Sequence, residues 1–210
     1  RRSRGSFLSE QTKWQEVQVC FNGGIIMAVN FSDSTVLGTG YKVLEQWTTP
    51  CDGSTISTQQ GNVSITNVTG IQAVGGTNYH DLTGSHITYQ PPTGTSLVIY
   101  KYTFIQSHWD SHGINHYRFN RNGTDIVYSY WTQAANTELE CLVHCEFPVW
   151  IGSNNSNTGG ISGWGSPIVL KMRGRRYGGS NESRLHLTQH FDGSGTDQFH
   201  QPTVGIIAIG

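Results

Sequence analysis

Charged residues are scarce in this chain. They make up 13% of its 210 residues, and the formal net charge is -1. A balance so close to neutral gives no long-range field that would attract nucleic acid or an anionic membrane surface. The composition therefore argues against a nucleic-acid partner.

Long hydrophobic runs are also missing. The longest uninterrupted apolar run covers residues 25–29, whereas a membrane-spanning helix needs about 20 apolar residues. We therefore expect no segment of the chain to be inserted into a membrane.

Cysteine is too sparse to define a disulfide scaffold. The four cysteines are spread over positions 20, 51, 141 and 145, unlike the dense spacing of small disulfide-stapled proteins. On one face of a strand, Cys141 and Cys145 would lie about 13 Å apart, which is too far for them to bridge each other. Any disulfide would be long-range, and its pairing stays open.

Residues that favour turns and strands dominate what remains. The chain has 26 Gly together with many Ser, Thr and Asn, and 11% of its residues are aromatic. Short apolar runs alternate with turn signals about every ten residues, which is typical of a β-sandwich or barrel. No stretch shows a helical period. The pattern predicts an all-β chain with an antiparallel β-sandwich fold.

The apolar runs place the predicted strands at residues 18–21, 25–31, 42–48, 55–58, 63–69, 86–89, 97–106, 114–120, 124–131, 138–150, 168–176, 183–191 and 204–209. Asn122 and Gly123 tolerate the positive φ angles of a tight hairpin, which predicts a turn there. Residues 97–104 are apolar on both faces and should form a central strand. Residues 153–160 are almost entirely polar or glycine, which predicts an exposed loop.

The densest cluster of polar side chains lies at residues 108–116. His108, His112 and His116 belong to a residue type that binds zinc, and Asp110 lies among them. The cluster falls between two predicted strands, so no helix turn aligns these side chains as ligands. We expect a polar loop at the end of a sheet and no bound metal.

No sequence motif points to catalysis. The chain lacks a Gly-x-Ser-x-Gly nucleophile elbow and a glycine-rich phosphate loop that opens a helix. Carboxylate pairs of the kind that act in glycosidases are a three-dimensional feature, which leaves that class open. We expect a protein that is not an enzyme and that needs no cofactor.

Basic residues concentrate at residues 171–176. Strand alternation places Lys171, Arg173 and Arg175 on one face, where they could contact an anion or a glycan. A solvated strand face, or ion pairs across a subunit boundary, would explain the same pattern. Arg173 and Arg175 are the candidate ligand contacts of this segment.

Several longer motifs resemble a known group of proteins. They are residues 85–95 (SHITYQPPTGT), 98–102 (VIYKY), 165–171 (GSPIVLK), 180–186 (SNESRLH), 189–199 (QHFDGSGTDQF) and 202–210 (PTVGIIAIG). Over residues 40–210 the chain resembles structural proteins of marine phages and large algal viruses. That resemblance implies a jelly roll of the tumour-necrosis-factor and complement-head kind, assembled as a trimer with its C-terminal strand near the three-fold axis.

The resemblance also implies a location and partners. The chain would be a structural protein on the virion surface, either a fibre head or a capsid decoration. Its partners would be further copies of itself, other virion proteins, and a host-surface glycan or protein. Flat aromatic rings suit such a ligand, and the candidates are Trp109, Tyr130, Trp131 and Trp164. A core position is the more common explanation for each of these rings.

Other functions fit the same sequence pattern. A capsid cement or minor capsid protein would have a purely architectural role, and a secreted lectin-like module would need a signal peptide upstream. A polysaccharide-degrading enzyme is the last alternative. In every case we expect residues 41–210 to form the jelly-roll domain and residues 1–40 to form an arm or an added strand pair.

Overall fold

The computed structural model describes residues 41–108, 113–135, 139–178, 183–188 and 197–210. The strands predicted at residues 18–21 and 25–31, the predicted arm or strand pair at residues 1–40, and Trp109 lie outside these ranges. The described chain is all-β with antiparallel sheets, as the composition predicts. Within these ranges, no helix is long and apolar enough to cross a membrane.

The strands of the described ranges are β1 (Val43–Pro50), β2 (Thr55–Thr58), β3 (Gly61–Ser64), β4 (Gln72–Val74), β5 (His80–Asp81), β6 (Ile87–Tyr89), β7 (Leu97–His108), β8 (Gly113–Arg121), β9 (Thr124–Asp125), β10 (Trp131–Ala135), β11 (Leu139–Trp150), β12 (Ile168–Arg176), β13 (Ser183–Leu185), β14 (Leu187–Thr188), β15 (Gln198–Phe199) and β16 (Thr203–Ile209). Single-turn 3₁₀ helices lie at Val127–Ser129 and Ser156–Thr158.

The first sheet is built around β7. One edge of β7 pairs with β11 along its whole length, and the other edge pairs with β16 and then with β13. β1 extends the sheet beyond β16, and β4 extends it beyond β13. The fully buried side chains on the inner face of β7 are Val98, Tyr100, Tyr102 and Phe104. β7 is therefore the central strand that its sequence predicts.

The second sheet is built around β8 and β12, which pair from Asn115 and Arg176 to Arg121 and Leu170. β9 and β10 lie along the other edge of β8. β5 and β6 lie along the other edge of β12. Two-stranded ribbons, β2–β3 and β14–β15, flank the two sheets.

Aromatic side chains fill the space between the sheets. The ring centroids of Tyr100 in the first sheet and Phe119 in the second are 5.3 Å apart, and Phe104 meets Tyr117 edge-on at 5.7 Å. Phe119 also stacks on Phe147 of the first sheet at 5.1 Å. These ring contacts, added to the burial of large apolar surfaces, hold the sheets face to face.

Two predicted connections are confirmed. At the hairpin between β8 and β9, Asn122 has a φ of 48° and Gly123 a φ of 86°. Both angles are left-handed, as a two-residue hairpin turn requires. Most of residues 153–160 are exposed, which agrees with the predicted loop.

The strand predicted at residues 124–131 is wrong in its middle. Only β9 and the first residue of β10 are paired as strand, and Val127–Ser129 forms a 3₁₀ turn between them. The Ser129 hydroxyl donates to the Ile126 carbonyl at 2.7 Å and accepts from the Phe119 amide at 2.8 Å. Such side-chain bonds compete with strand pairing and favour a turn.

The strand predicted at residues 183–191 is interrupted as well. His186 has a left-handed φ of 65°, and it separates β13 from β14. Residues 189–191 lie outside the described ranges. The sequence does not predict β4, β5 and β15, because each has only two or three residues and their pairing partners are distant in the chain.

The three cysteines in the described ranges, Cys51, Cys141 and Cys145, are free thiols. Burial raises the pKa of Cys51 and of Cys145 to about 12. Both therefore stay protonated at neutral pH and behave as small apolar residues of the core. Cys20 lies outside the described residues.

Candidate ligand-binding face

The outer surface of the second sheet carries the basic strand β12. Along this strand Leu170 and Met172 are fully buried, so Lys171, Arg173 and Arg175, which alternate with buried positions, point outward. Arg173 lies opposite Arg118 of β8 and opposite Asp81 of β5. The pairing of three strands therefore gathers charged side chains that are far apart in the sequence.

These side chains form a continuous chain of ion pairs. Lys171 Nζ lies 2.7 Å from Asp81 Oδ2, and Arg173 Nε lies 3.3 Å from Asp81 Oδ1. Arg173 also contacts Asp125 Oδ2 at 3.2 Å, and Arg118 pairs with the same oxygen. Three cations thus share two carboxylates.

Tyrosine rings lie against the guanidinium groups of Arg118 and Arg175 on this surface. The Arg118 guanidinium lies 3.4 Å from the centroid of the Tyr79 ring and 5.7 Å from that of Tyr130. The Arg175 guanidinium lies 5.3 Å from the Tyr79 centroid. Such cation–π contacts fix the orientation of the guanidinium planes. We name Tyr79, Arg118, Tyr130, Lys171, Arg173 and Arg175 the cation–aromatic face.

Arg175 differs from the other cations of this face. It donates to the carbonyl oxygens of Thr77 at 3.5 Å and of Arg176 at 3.3 Å. Among the described residues, no carboxylate forms an ion pair with it. Burial, and then the charge of Arg175, lower the pKa of the neighbouring His116. The positive charge of Arg175 therefore acts on the neighbouring His116.

The predicted contact residues divide between this face and the core. Tyr130, Arg173 and Arg175 lie together on the cation–aromatic face. Trp164 is buried, and its indole N–H donates to the Tyr89 carbonyl at 3.2 Å. Trp131 is partly buried and stacks on the core residue Tyr117 with centroids 4.9 Å apart. Both tryptophans therefore pack as core residues.

Sequence reasoning missed Tyr79 and Arg118 of the cation–aromatic face, and it missed Asp81 beside them. Arg118 could have been found, because it lies on a predicted strand and alternates with the apolar residues Tyr117 and Phe119. Tyr79 and Asp81 could not, because no strand is predicted around them and only the pairing of β5 with β12 brings them to this surface.

The described histidines of the predicted polar cluster point in different directions. His108 is buried between the sheets, whereas His116 lies on the outer surface and contacts Thr132 Oγ1 at 2.8 Å. No group of three His, Cys, Asp or Glu side chains that could hold a metal occurs among the described residues. His112 and Asp110 lie outside them.

His108 belongs to a polar cluster inside the core. The Asn115 amide donates to Tyr117 Oη at 3.2 Å and to Ser183 Oγ at 2.5 Å, and lies 3.4 Å from His108 Nε2. Gln106 contacts both His108 and Tyr117. Burial lowers the pKa of His108, which favours the neutral ring. The cluster gives buried polar groups hydrogen-bond partners and joins the two sheets at one end.

The outer surface of the first sheet has a different character. Two cross-strand rows of apolar side chains run over β16, β7 and β11, and a further apolar pair lies on β7 and β11. We name them together the apolar outer face: Leu97, Ile99, Ile105, Leu142, Pro148, Trp150, Ile207 and Ile209. Leu142 is 64% exposed and Trp150 is 44% exposed. Between the two rows and the Ile105–Leu142 pair, Lys101 Nζ lies 2.8 Å from Glu146 Oε1, and His144 Nε2 lies 3.2 Å from the same oxygen.

A groove of about 470 Å³ lies between the β2–β3 ribbon and β6. Its polar lining includes Asn62, Ser64, His86, Thr88 and Gln90. None of the lining residues is an acid, a lysine or an arginine. The groove therefore offers hydrogen bonds to a neutral ligand but no charge to an anion.

The two outer faces, one charged and aromatic and one apolar, are features of this chain's own geometry. The resemblance to virion proteins stays a prediction that depends on the motifs quoted above. No protein-family model matches this chain, and no curated protein matches it.

Proposed function

We propose that the chain is a structural and attachment module of a virus particle, a non-catalytic jelly roll that assembles as a trimer on the particle surface. The observation that carries this proposal is the apolar outer face of the first sheet. Exposed apolar side chains such as Leu142 and Trp150 on one face of a subunit mark an interaction site, because leaving them in water has a free-energy cost.

A second and third copy of this chain are the occupants we assign to that face. Lys101 and Glu146 place both signs of charge beside the apolar rows, so identical surfaces can pair opposite charges as they meet. β16 belongs to the same sheet. A trimer built through this face would therefore have the C-terminal strand near its axis, as the resemblance implies.

Assembly through the first sheet would leave the second sheet free. The cation–aromatic face lies on the far side of the sandwich from the apolar outer face, because the sheets share one core between them. Self-association and contact with a host-surface ligand can then occur in the same particle. This separation supports an attachment role in addition to an architectural one.

Sedimentation of the purified chain tests the assembly. We expect a species of about 70 kDa, three times the 23.2 kDa of the chain. Leu142→Lys should give monomers, because it places a charge in the proposed interface. The matched control is Ala134→Lys, at an exposed position on β10 of the other sheet, and it should remain trimeric. A wild-type monomer at high concentration, or an unchanged Leu142→Lys variant, would contradict the proposal.

Purified particles test the location. Immunogold labelling with an antibody against this chain should mark the particle surface at fibre tips or vertices. A copy number that follows the capsid lattice would favour the cement role instead. Absence of the chain from purified particles would overturn the viral assignment.

A further inference from the structure

We propose that the cation–aromatic face binds a polyanionic saccharide, a sugar chain that carries carboxylate or sulfate groups along its length. The inference rests on the proposed function, because it names the ligand class of the same attachment module. It is carried by the charge balance of the face, the order of its arginines and the distribution of its aromatic rings.

The charge balance of the face is positive. Lys171, Arg173, Arg118 and Arg175 lie beside two described carboxylates, Asp81 and Asp125. The carboxylates hold the first three cations, and Arg175 has none among the described residues. A guanidinium group binds a carboxylate or sulfate through two parallel hydrogen bonds. A ligand anion would therefore supply the carboxylate or sulfate partner that Arg175 does not have among the described residues.

The arginines of the face are already ordered. Tyr79 lies against both Arg118 and Arg175, with distances of 3.4 Å and 5.3 Å from the guanidinium carbons to its ring centroid. A side chain that is held in place loses less entropy when a ligand arrives, which favours binding. Beside them, the Tyr130 ring is 50% exposed, and it offers a flat surface to the C–H groups of a sugar ring.

The same geometry disfavours nucleic acid. Single-stranded nucleic acid is held by a continuous basic groove and by aromatic faces on which bases stack. Here Asp81 and Asp125 interrupt the basic surface, and the Arg118 guanidinium covers one side of the Tyr79 ring.

Binding of the full chain to four probes tests this inference. The probes are alginate oligosaccharides, which carry carboxylates, dextran sulfate, which carries sulfates, unmodified dextran, and single-stranded oligo(dT). We expect binding to alginate, to dextran sulfate or to both, and we expect it to weaken as salt is added. The stronger of these two probes identifies the anion. Unmodified dextran and oligo(dT) should bind more weakly than the stronger of the two polyanions.

A matched pair of variants locates the site. Arg175→Gln should lower the affinity for the polyanion about fivefold, as expected for the loss of one charge-assisted contact. Lys42→Gln removes the same charge at an exposed position near the start of β1, and it should leave the affinity unchanged.

Three results would overturn the inference: no binding to either polyanion at low salt, equal losses in Arg175→Gln and Lys42→Gln, or tighter binding of dextran or oligo(dT). Tighter binding of dextran would instead favour the uncharged groove beside β6. Sedimentation of the same samples separates this inference from the proposed function. If the chain is a trimer that binds neither polyanion, the ligand inference fails and the proposed assembly stands. If the chain is a monomer that binds them through Arg175, the proposed assembly fails and the ligand inference stands.

Discussion

Gly84 has a left-handed backbone and very close neighbours. Its φ is 89°, and a Cβ built there would lie 2.7 Å from Val68 Cγ2 and 3.1 Å from Cys51 Sγ. Gly84→Ala should therefore lower the free energy of unfolding by roughly 3 kcal/mol, through backbone strain and steric overlap together. Urea unfolding followed by fluorescence measures this loss.

Gly94 provides the matched control. Its φ is also 89°, but a Cβ at this position would meet nothing within 4 Å. Gly94→Ala should cost only about 1 kcal/mol, the price of the φ angle alone. Equal losses in the two alanine variants would show that the neighbours of Gly84 make no difference.

His186 should make the fold sensitive to acid. The ring is fully buried, and burial lowers its pKa to about 4, whereas a histidine in an unfolded chain titrates near 6.5. Between these values the unfolded chain binds a proton that the folded chain does not bind. The free energy of unfolding should therefore fall as the pH falls through this window, by about 3 kcal/mol in total. Urea unfolding at neutral pH and at about pH 4.5 tests this.

His186→Asn identifies the responsible group. Asparagine tolerates the left-handed φ of 65° at this position, and its side chain does not titrate. The variant should be less stable at neutral pH because it leaves a cavity, but its stability should change less with pH. His108 is shifted in the same direction by burial and supplies a smaller remaining dependence. An unchanged pH dependence in His186→Asn would contradict the assignment.

At the scale of elements, β7 should be the most protected part of the fold. It is paired along both edges, and its inner side chains are fully buried. The β2–β3 ribbon pairs only within itself. Amide hydrogen exchange should therefore be slowest in β7 and faster in the ribbon by at least a factor of ten, because an isolated two-stranded ribbon opens more easily. Similar exchange in both would contradict this ranking.

The long strands could be predicted from the sequence, and the short ones could not. β7, β11 and β12 have sustained alternation, and their predicted bounds differ by at most two residues from the observed ones. β5 is only His80–Asp81, and its extended form depends on pairing with β12. The alternation signal needs several residues on each face, so a two-residue strand carries none.

Part of the candidate site could also be predicted from the sequence, and part could not. Alternation along β12 places Arg173 and Arg175 on one outer face, and the structure agrees. The partners of these arginines, Asp81 and Tyr79, are about 90 residues earlier in the chain. Strand order and register decide that such residues meet, and neither can be deduced from one strand's own sequence.

At the scale of the whole molecule, the two outer faces can act together. Three copies joined through the apolar outer face would present three cation–aromatic faces on one assembly. Multiple linked contacts raise the apparent affinity for a ligand-coated surface without changing the affinity of each contact. Assembly would therefore increase attachment even though the subunit interface and the ligand site share no residue.

This coupling gives a last prediction. Leu142→Lys, which we expect to prevent the proposed assembly, should weaken binding to an alginate-coated surface by about a hundredfold or more but leave the affinity for a short alginate oligosaccharide in solution unchanged. Arg175→Gln should weaken binding to the short oligosaccharide about fivefold. It should weaken binding to the coated surface by more than fivefold, because each of several contacts is lost. If Leu142→Lys weakened both to the same degree, the two faces would belong to one site, and their separation across the sandwich would have no functional consequence.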